Sequence, residues 1–156
     1  LIAKGANPRA RNRRGAEPLH YATDGAPGSR GWNPGAQGAV IAYLIDVGAD
    51  PNSADKSGVT PLHRAVRTRC ASAVSTLLSR GAEPCRKSGS GATPLHLAVQ
   101  STGRGGTGSP DSKQQQKDII LLLLQHGARL TDKDAHGKTV KESIVGDWIH
   151  ELLGAR

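Results

Sequence analysis

Apolar residues recur along this chain in two alternating kinds of segment, and in both they lie three or four positions apart. The first kind is short and opens with Pro-Leu-His, at Pro18, Pro61 and Pro94. The second is longer, contains adjacent aliphatic residues such as Leu77 and Leu78, and stops at Gly-Ala. This spacing predicts amphipathic helices, arranged as three pairs. The second helix of each pair is predicted over residues 40–48, 74–81 and 119–127.

The helix pairs are copies of one unit. Residues 60–66 read TPLHRAV, and residues 93–99, one period of 33 positions later, read TPLHLAV. Thr60 can cap the N–H groups of the helix that Pro61 opens, and the glycine after each second helix permits a positive φ. Self-similarity at this period is typical of proteins built as a stack of small helical units.

These residues and their spacing make the chain similar to the ankyrin repeat family. The family pattern GxTPLHxA…LLxxGAxPN is matched by residues 58–65, 77–84 and 91–98. The resemblance implies an all-α solenoid of stacked helix-turn-helix units, with short turns or β-hairpins between the repeats. It divides the single domain 1–156 into the end of a partial repeat (1–8), three full repeats (9–50, 51–83 and 84–129) and a C-terminal capping repeat (130–156).

The chain departs from that pattern at three places. Glu17 stands in place of the threonine, Cys85 replaces the asparagine of a turn, and the last repeat lacks Pro-Leu-His. We expect the last repeat to act as a cap with one apolar and one polar side. Its core-facing residues would be Ile144, Val145, Trp148, Ile149, Leu152 and Leu153, and its water-facing residues Lys141, Glu142, Asp147, His150 and Glu151.

Two insertions interrupt the period, at about residues 24–38 and 101–117, and both are rich in Gly, Ser and Pro. We interpret both as loops between the two helices of a repeat, since lengthening a surface loop costs little entropy. Residues 103–108 satisfy the dinucleotide motif GxGxxG, but they follow a helix and do not join a strand to a helix. They are interpreted as a flexible loop without a phosphate-binding role.

Composition limits how the stack is held together and what it can bind. Aromatic residues make up 3% of the chain, and Phe and Met are absent, so small aliphatic residues must fill the core. The net charge of +8 favours acidic proteins, anionic surfaces or nucleic acid as partners. The apolar runs of the chain, such as residues 119–124, are too short for a membrane span. Cys70 and Cys85 belong to no metal or disulfide framework, and we interpret them as unreactive thiols.

His20, His63 and His96 recur two residues after each proline, where a metal or catalytic site would be suspected. No carboxylate or thiol accompanies them at ligand spacing. The resemblance implies instead that each imidazole bonds the threonine hydroxyl and nearby backbone, which ties one turn to the next. We therefore predict a structural role for these histidines, and no cofactor or metal.

Basic residues cluster in the first inter-repeat turn and on the first helix of the next repeat. By the resemblance, turns and first helices line the surface where partners dock. The clusters therefore form either an electropositive groove or a solvated surface that maintains solubility. Nucleic acid is disfavoured because few aromatic residues accompany the arginines and no DNA-binding motif occurs. The clusters are Arg9, Arg11, Arg13 and Arg14, and Arg64, Arg67 and Arg69.

The resemblance implies a non-catalytic domain that binds a protein partner, and we expect an intracellular monomer. Two alternatives stay open: binding of nucleic acid or another polyanion through the arginines, and service as the adaptor portion of a larger enzyme. Trp32, in the first insertion, either pins its own loop to the helices or anchors a partner. Matching each repeat to the family's variable positions gives the other expected contacts: Arg14, Ser57, Val59, Arg64, Arg67, Ser90 and Gln100.

Overall fold

A computed structural model describes residues 2–100 and 110–154, and the regular elements within these ranges are helices, with one isolated antiparallel bridge between Lys133 and Thr139. The prediction of an all-α ankyrin-like solenoid is confirmed. No helix in the described ranges is long and apolar enough to cross a membrane. The α-helices are α1 (Pro18–Ala22), α2 (Pro34–Asp46), α3 (Pro61–Arg67), α4 (Ala71–Ser79), α5 (Pro94–Ala98), α6 (Pro110–Gln125) and α7 (Asp147–Gly154), and short 3-10 helices lie at Ile2–Lys4 and Lys141–Ser143.

The helices pair into hairpins, and the hairpins stack. α1 packs on α2, α3 on α4 and α5 on α6, while the first helices and the second helices each form a row of neighbours. The rows bury one continuous aliphatic core. The leucine of each Pro-Leu-His motif lies in it, since Leu19, Leu62 and Leu95 are almost fully buried. Burial of each such side chain stabilises the fold by about 2 kcal/mol.

Each motif histidine bridges two repeats, as predicted. The Nδ1 atom of His63 accepts a hydrogen bond from the backbone N–H of Thr60 (3.3 Å), and its Nε2–H donates to the carbonyl of Ala92 in the next turn (3.1 Å). His20 and His96 make the same pair of contacts, and all three rings are buried. Because a carbonyl only accepts, Nε2 must carry the proton, and the neutral imidazole fits the site.

Successive inter-repeat turns also join through their backbones. The N–H of Lys56 donates to the carbonyl of Arg14 (3.0 Å), and the N–H of Gly89 donates to the carbonyl of Ser57 (2.8 Å). This approach leaves no room for a side chain, because a Cβ on Gly89 would lie 2.7 Å from the Ser57 oxygen. The close contact requires glycine there, and the hydrogen bonds hold neighbouring turns in a fixed register.

The predicted loop boundaries are wrong at the end of both insertions. α2 begins at Pro34 and α6 at Pro110, so the second helices are longer than their aliphatic positions indicated. Asn33 caps α2 by accepting a hydrogen bond from the N–H of Ala36 (2.9 Å), with Pro34 at the first helical position. The GxGxxG run at 103–108 lies outside the described residues. The residues predicted as loop that are helical are 34–38 and 110–117.

Each extended second helix uses a glutamine to close the first helix before it. Gln37 donates from Nε2 to the carbonyl of Ala22 at the end of α1 (3.1 Å), and Gln116 donates to the carbonyl of Ala98 at the end of α5 (2.7 Å). Helix ends leave such carbonyls without an intrahelical partner. In the regular middle repeat Cys70 holds the same position, and its backbone N–H bonds the end of α3 (3.0 Å). Both insertions therefore lead into the second helix at the same position of the repeat, where the glutamine bonds the end of the first helix.

Of the six residues expected to face the core near the C-terminal end of the described chain, five pack against it and one does not. Val145 is 52% exposed, so its assignment to the core is wrong. This residue contributes its backbone instead, since its N–H donates to the carbonyl of Val99 in the third repeat (3.0 Å). The five residues expected to face water are exposed. The residues that cover the core are Ile144, Trp148, Ile149, Leu152 and Leu153.

Asn52, in the turn that opens the regular repeat, makes two side-chain hydrogen bonds that Cys85 does not make at the equivalent position. The Asn52 amide donates to the carbonyl of Gly81 (2.9 Å) and accepts from the N–H of Glu83 (2.7 Å), which ties the turn to the end of the next second helix. Cys85 holds the same position one repeat later. Its thiol makes one long contact, with the carbonyl of Gly127 (3.5 Å).

We expect Cys85→Asn to stabilise the protein by about 1 kcal/mol, because the amide can donate to the carbonyl of Gly127 as the Asn52 amide donates to that of Gly81. The N–H of Arg129, which corresponds to that of Glu83, already donates to Asp132 (3.1 Å). Urea unfolding monitored by circular dichroism measures the change. Cys85→Ser is the control, since its side chain is shorter than the thiol, which already lies 3.5 Å from that carbonyl. This variant should stay within about 0.5 kcal/mol of the wild type. Equal stability of the asparagine and serine variants would contradict this account.

The buried histidines make stability depend on pH. Burial lowers the pKa of His20 and of His63 below the ordinary histidine value of about 6.5. The unfolded chain therefore binds these protons at a higher pH than the folded chain does. Their contribution to stability is complete above about pH 6.5 and is lost as the pH falls below that value.

We therefore expect a lower urea midpoint at about pH 5 than at about pH 7.5, and a smaller difference in a His20→Gln/His63→Gln variant. His126→Gln, at an exposed position, is the matched control and should keep the wild-type pH dependence. An unchanged pH dependence in the double variant would assign the acid sensitivity to other groups.

Candidate binding surface

A groove opens between the first two inter-repeat turns and the first helices beside them. Its volume is about 540 Å³. The backbone hydrogen bond from Lys56 to Arg14 fixes the two turns side by side, so residues from both reach the same space. We call this space the arginine groove. Its lining residues are Arg13, Arg14, Ala16, Tyr21, Asp55, Lys56, Ser57, Val59, Arg64 and Arg67.

Arg64 forms a preorganised edge of the arginine groove. Its guanidinium carbon lies 4.6 Å from the centroid of the Tyr21 ring, and its Nε–H and an Nη–H both donate to the carboxylate of Asp24. The hydrogen bond to Asp24 raises the pKa of Arg64 above its usual range. A two-point carboxylate contact and a ring below fix the guanidinium plane. Arg64 therefore gives the groove a fixed edge, and Asp24 neutralises part of its charge.

The rest of the groove carries unneutralised positive charge. Asp55 is the acidic residue among the lining residues that the structure describes, and its Oδ1 accepts from the N–H groups of Ser57 (2.8 Å) and Val59 (3.0 Å). This carboxylate is thus committed to holding the turn. Four exposed cations line the groove with no ion pair to any described residue: Arg13, Arg14, Lys56 and Arg67.

Comparison with known families assigns this architecture. The family described as ankyrin repeats in three copies matches the chain over residues 1–88 and, overlapping, over 34–134. The chain belongs to the ankyrin-repeat family. Ankyrin repeats generally serve as protein–protein interaction modules, and the family is typically non-catalytic. No curated protein is similar enough to this chain to count as a match.

Five of the eight residues predicted to contact a partner line the arginine groove of this ankyrin stack, and three lie elsewhere. Trp32 is half-buried against the core and donates from Nε1 to Gln37 (3.3 Å), as expected of a residue that pins its own loop. Ser90 lies in the next turn, where its hydroxyl pairs with that of Ser88 (2.9 Å). Gln100 is exposed just beyond α5. The five in the groove are Arg14, Ser57, Val59, Arg64 and Arg67.

Two arginines of the predicted basic clusters are committed to the ankyrin stack itself. Arg69 is buried, so its assignment to the surface is wrong; it donates to the carbonyls of Ala98 (3.0 Å) and Gln100 (2.7 Å) at the end of α5. Burial lowers the pKa of Arg69 to about 10, which leaves it charged at neutral pH. Arg11 pairs with the buried carboxylate of Glu17 (3.2 Å). Glu17, the residue that departs from the motif, therefore needs Arg11 as its counter-ion.

The expected contacts omitted five of the lining residues of the groove, which are Arg13, Ala16, Tyr21, Asp55 and Lys56. Tyr21 occupies the position in the first repeat that Arg64 occupies in the second, three residues after the motif proline. Stacking of the repeats places these two positions next to each other, which explains the contact between ring and guanidinium. Aligning the repeats on their prolines would therefore have predicted that Tyr21 lies beside Arg64. No such signal marks Lys56, because its position in the groove depends on the register between two turns.

The described residues hold no group of three or more His, Cys, Asp or Glu side chains placed to bind a metal ion. Burial raises the pKa of the Cys85 thiol, which disfavours the thiolate that nucleophilic chemistry needs. Cys70 is buried, and neither cysteine forms a disulfide within the described residues.

We expect Arg69→Ala to destabilise the fold by about 2 kcal/mol, because it removes two charge-assisted hydrogen bonds and leaves two carbonyls with fewer donors. The neighbouring Arg67→Ala should stay within about 0.5 kcal/mol of the wild type, since Arg67 is exposed. Chemical unfolding of the two variants measures both values. Equal losses at the two positions would contradict the division between a structural arginine and a groove arginine.

Proposed function

We propose that this ankyrin-repeat chain is a non-catalytic interaction scaffold that binds an acidic segment of a partner protein in the arginine groove. The observation that carries the proposal is the excess of positive charge in one space, where four exposed cations accompany Arg64 and the carboxylate of Asp55 is bonded by backbone N–H groups. A cleft lined by one sign of charge concentrates oppositely charged segments and accelerates their encounter.

The groove favours a peptide segment over nucleic acid. Tyr21 is the aromatic residue among its described lining residues, and Arg64 covers one face of that ring. Proteins that bind single strands through stacking present open aromatic faces to successive bases. The groove offers little of that kind, whereas guanidinium and ammonium groups bind carboxylates directly.

The proposal gives each groove residue a task. Arg14, Lys56 and Arg67 pair with carboxylates of the bound segment, and the exposed Ser57 hydroxyl bonds its backbone. Val59, which is half-buried, supplies an apolar contact beside them. Ser90 and Gln100 remain predicted contacts for a partner that extends beyond the groove along the same row of turns and first helices.

Arg14→Glu with Arg67→Glu tests the charge of the groove. We expect this pair to weaken binding of a fluorescent Glu-rich peptide by about tenfold or more, because each exposed pair contributes roughly 0.2–1 kcal/mol and reversal turns attraction into repulsion. Fluorescence anisotropy at one fixed ionic strength measures the dissociation constants.

Lys113→Glu with Lys117→Glu is the matched control. It makes the same change in net charge at exposed positions of α6, away from the groove, and should leave the affinity nearly unchanged. Equal losses in the two double variants would show that net charge alone attracts the peptide. A DNA duplex that binds more tightly than the peptide at the same ionic strength would favour the polyanion alternative.

A further inference from the structure

The first inter-repeat turn holds its arginines beside a neutral group. Asn12 stands six residues before the motif proline, where the second repeat has Asp55. Its amide oxygen accepts from the N–H groups of Arg14 (2.9 Å) and Ala16 (3.1 Å), and the Asp55 carboxylate makes the equivalent two bonds in the second turn. Asn12 therefore fixes the same turn geometry without adding a negative charge next to Arg13 and Arg14.

Lys56 of the second turn lies directly against the first turn. A Cβ at Gly15 would lie 3.1 Å from the backbone nitrogen of Lys56 and 3.2 Å from its Cγ. Gly15 has a φ of +77°, a left-handed conformation that favours glycine. The side chain of Lys56 thus passes the first turn next to the residue that follows Arg14. Both turns supply cations to one space.

The first helix of the second repeat supplies two more guanidinium groups to that space. Arg64 is fixed in direction by the carboxylate of Asp24 and the ring of Tyr21. Arg67 lies three residues later in α3, a spacing that places both arginines on one side of the helix. Cations from two turns and one helix therefore surround the arginine groove.

A phosphate group matches this arrangement better than a single carboxylate does. A phosphorylated side chain carries about two negative charges at neutral pH and three terminal oxygens, so it can bond several cations at once. The planar guanidinium group binds phosphate through two parallel hydrogen bonds. Four of the five cations that line the groove are arginines, and they are Arg13, Arg14, Arg64 and Arg67.

The row of cations ends after two turns. At the positions that carry the arginines of the first turn, the third turn has Gly89 and Ser90. A nucleic-acid strand presents a phosphate at every nucleotide and is bound along a continuous basic track. One compact cluster instead suits one phosphate on a protein segment, whose flanking residues can contact the exposed Ser57 and the half-buried Val59.

We propose that the arginine groove binds a phosphorylated side chain of the partner segment, with Arg13, Arg14, Lys56 and Arg67 paired to the phosphate oxygens. Clusters of arginine are a general means of recognising phosphorylated segments. The proposal rests on the function proposed above and narrows the acidic segment to one that a kinase has modified. Binding then depends on the modification state of the partner.

Three fluorescent peptides test the phosphate preference of the whole chain. They share the Glu-rich flanks of the peptide described above and differ at two central positions, which read phosphoserine-alanine, glutamate-glutamate or serine-alanine. The first two have nearly the same net charge at about pH 7.5. We expect the phosphoserine peptide to bind about tenfold or more tightly than the glutamate-glutamate peptide, because one phosphate gathers cations from both turns. Fluorescence anisotropy at one fixed ionic strength measures the dissociation constants.

Asn12→Asp tests whether the neutral turn matters. The aspartate keeps the oxygen that holds the turn, as Asp55 shows in the second repeat, but it places a negative charge beside Arg13 and Arg14. We expect about fivefold weaker binding of the phosphoserine peptide, with little change in the urea midpoint. Ser88→Asp is the matched control, since it adds the same charge at the equivalent position of the third turn, outside the lining of the groove. Its affinity should stay within about twofold of the wild type.

Equal affinity for the phosphoserine and glutamate-glutamate peptides would overturn the phosphate site and leave the proposed binding of acidic segments intact. Failure of all three peptides to bind would overturn both proposals. Equal weakening by Asn12→Asp and Ser88→Asp would also count against the site. Inorganic phosphate that displaces the phosphoserine peptide at a concentration equal to that peptide's dissociation constant would make free phosphate the ligand. Vesicles with phosphorylated inositol lipids that bind more tightly than the peptide would make a lipid surface the partner.

Discussion

The stack depends on one interaction that recurs at each boundary between full repeats: a buried, neutral imidazole that accepts from its own repeat and donates to the next. His63 shows it fully, with Nδ1 facing the N–H of Thr60 and Nε2–H facing the carbonyl of Ala92. The first helices contain five to seven residues, which is too short to be stable alone. Their stability comes from the neighbouring repeat, so the histidines transmit order along the stack. The same burial lowers the pKa of His20 and of His63.

The register set by these contacts also determines the binding surface. Because the N–H of Lys56 bonds the carbonyl of Arg14, cations that are distant in sequence line one space. Stacking likewise places Tyr21 under the guanidinium of Arg64, and Asp24 from the first insertion completes that edge. The arginine groove is therefore a consequence of how two repeats pack. The proposed function therefore depends on residues that differ between the repeats, held in place by packing that recurs in each of them.

Two surfaces of the chain differ in their chemistry. The side formed by turns and first helices concentrates positive charge, whereas the outer face of α2 is apolar around Val40 and Tyr43. A charged groove suits a partner that arrives and leaves through water, because exposed ion pairs are individually weak. An apolar helix face suits permanent packing. The two surfaces therefore differ in the kind of contact that each suits.

The sequence by itself determined the repeat, the starts of the first helices and the role of the histidines, because caps, prolines and motif spacing act over a few residues. It also identified five residues of the arginine groove through their positions in the repeat. Tertiary structure decided the rest. Arg69 has the same charge as Arg67, yet it is buried against the carbonyls at the end of α5. Residues 34–38 were predicted as loop but are helical. Gln37 has its partner at the end of α1, and that contact cannot be read from the local sequence. Such partners lie in other elements, so only the packed stack could reveal them.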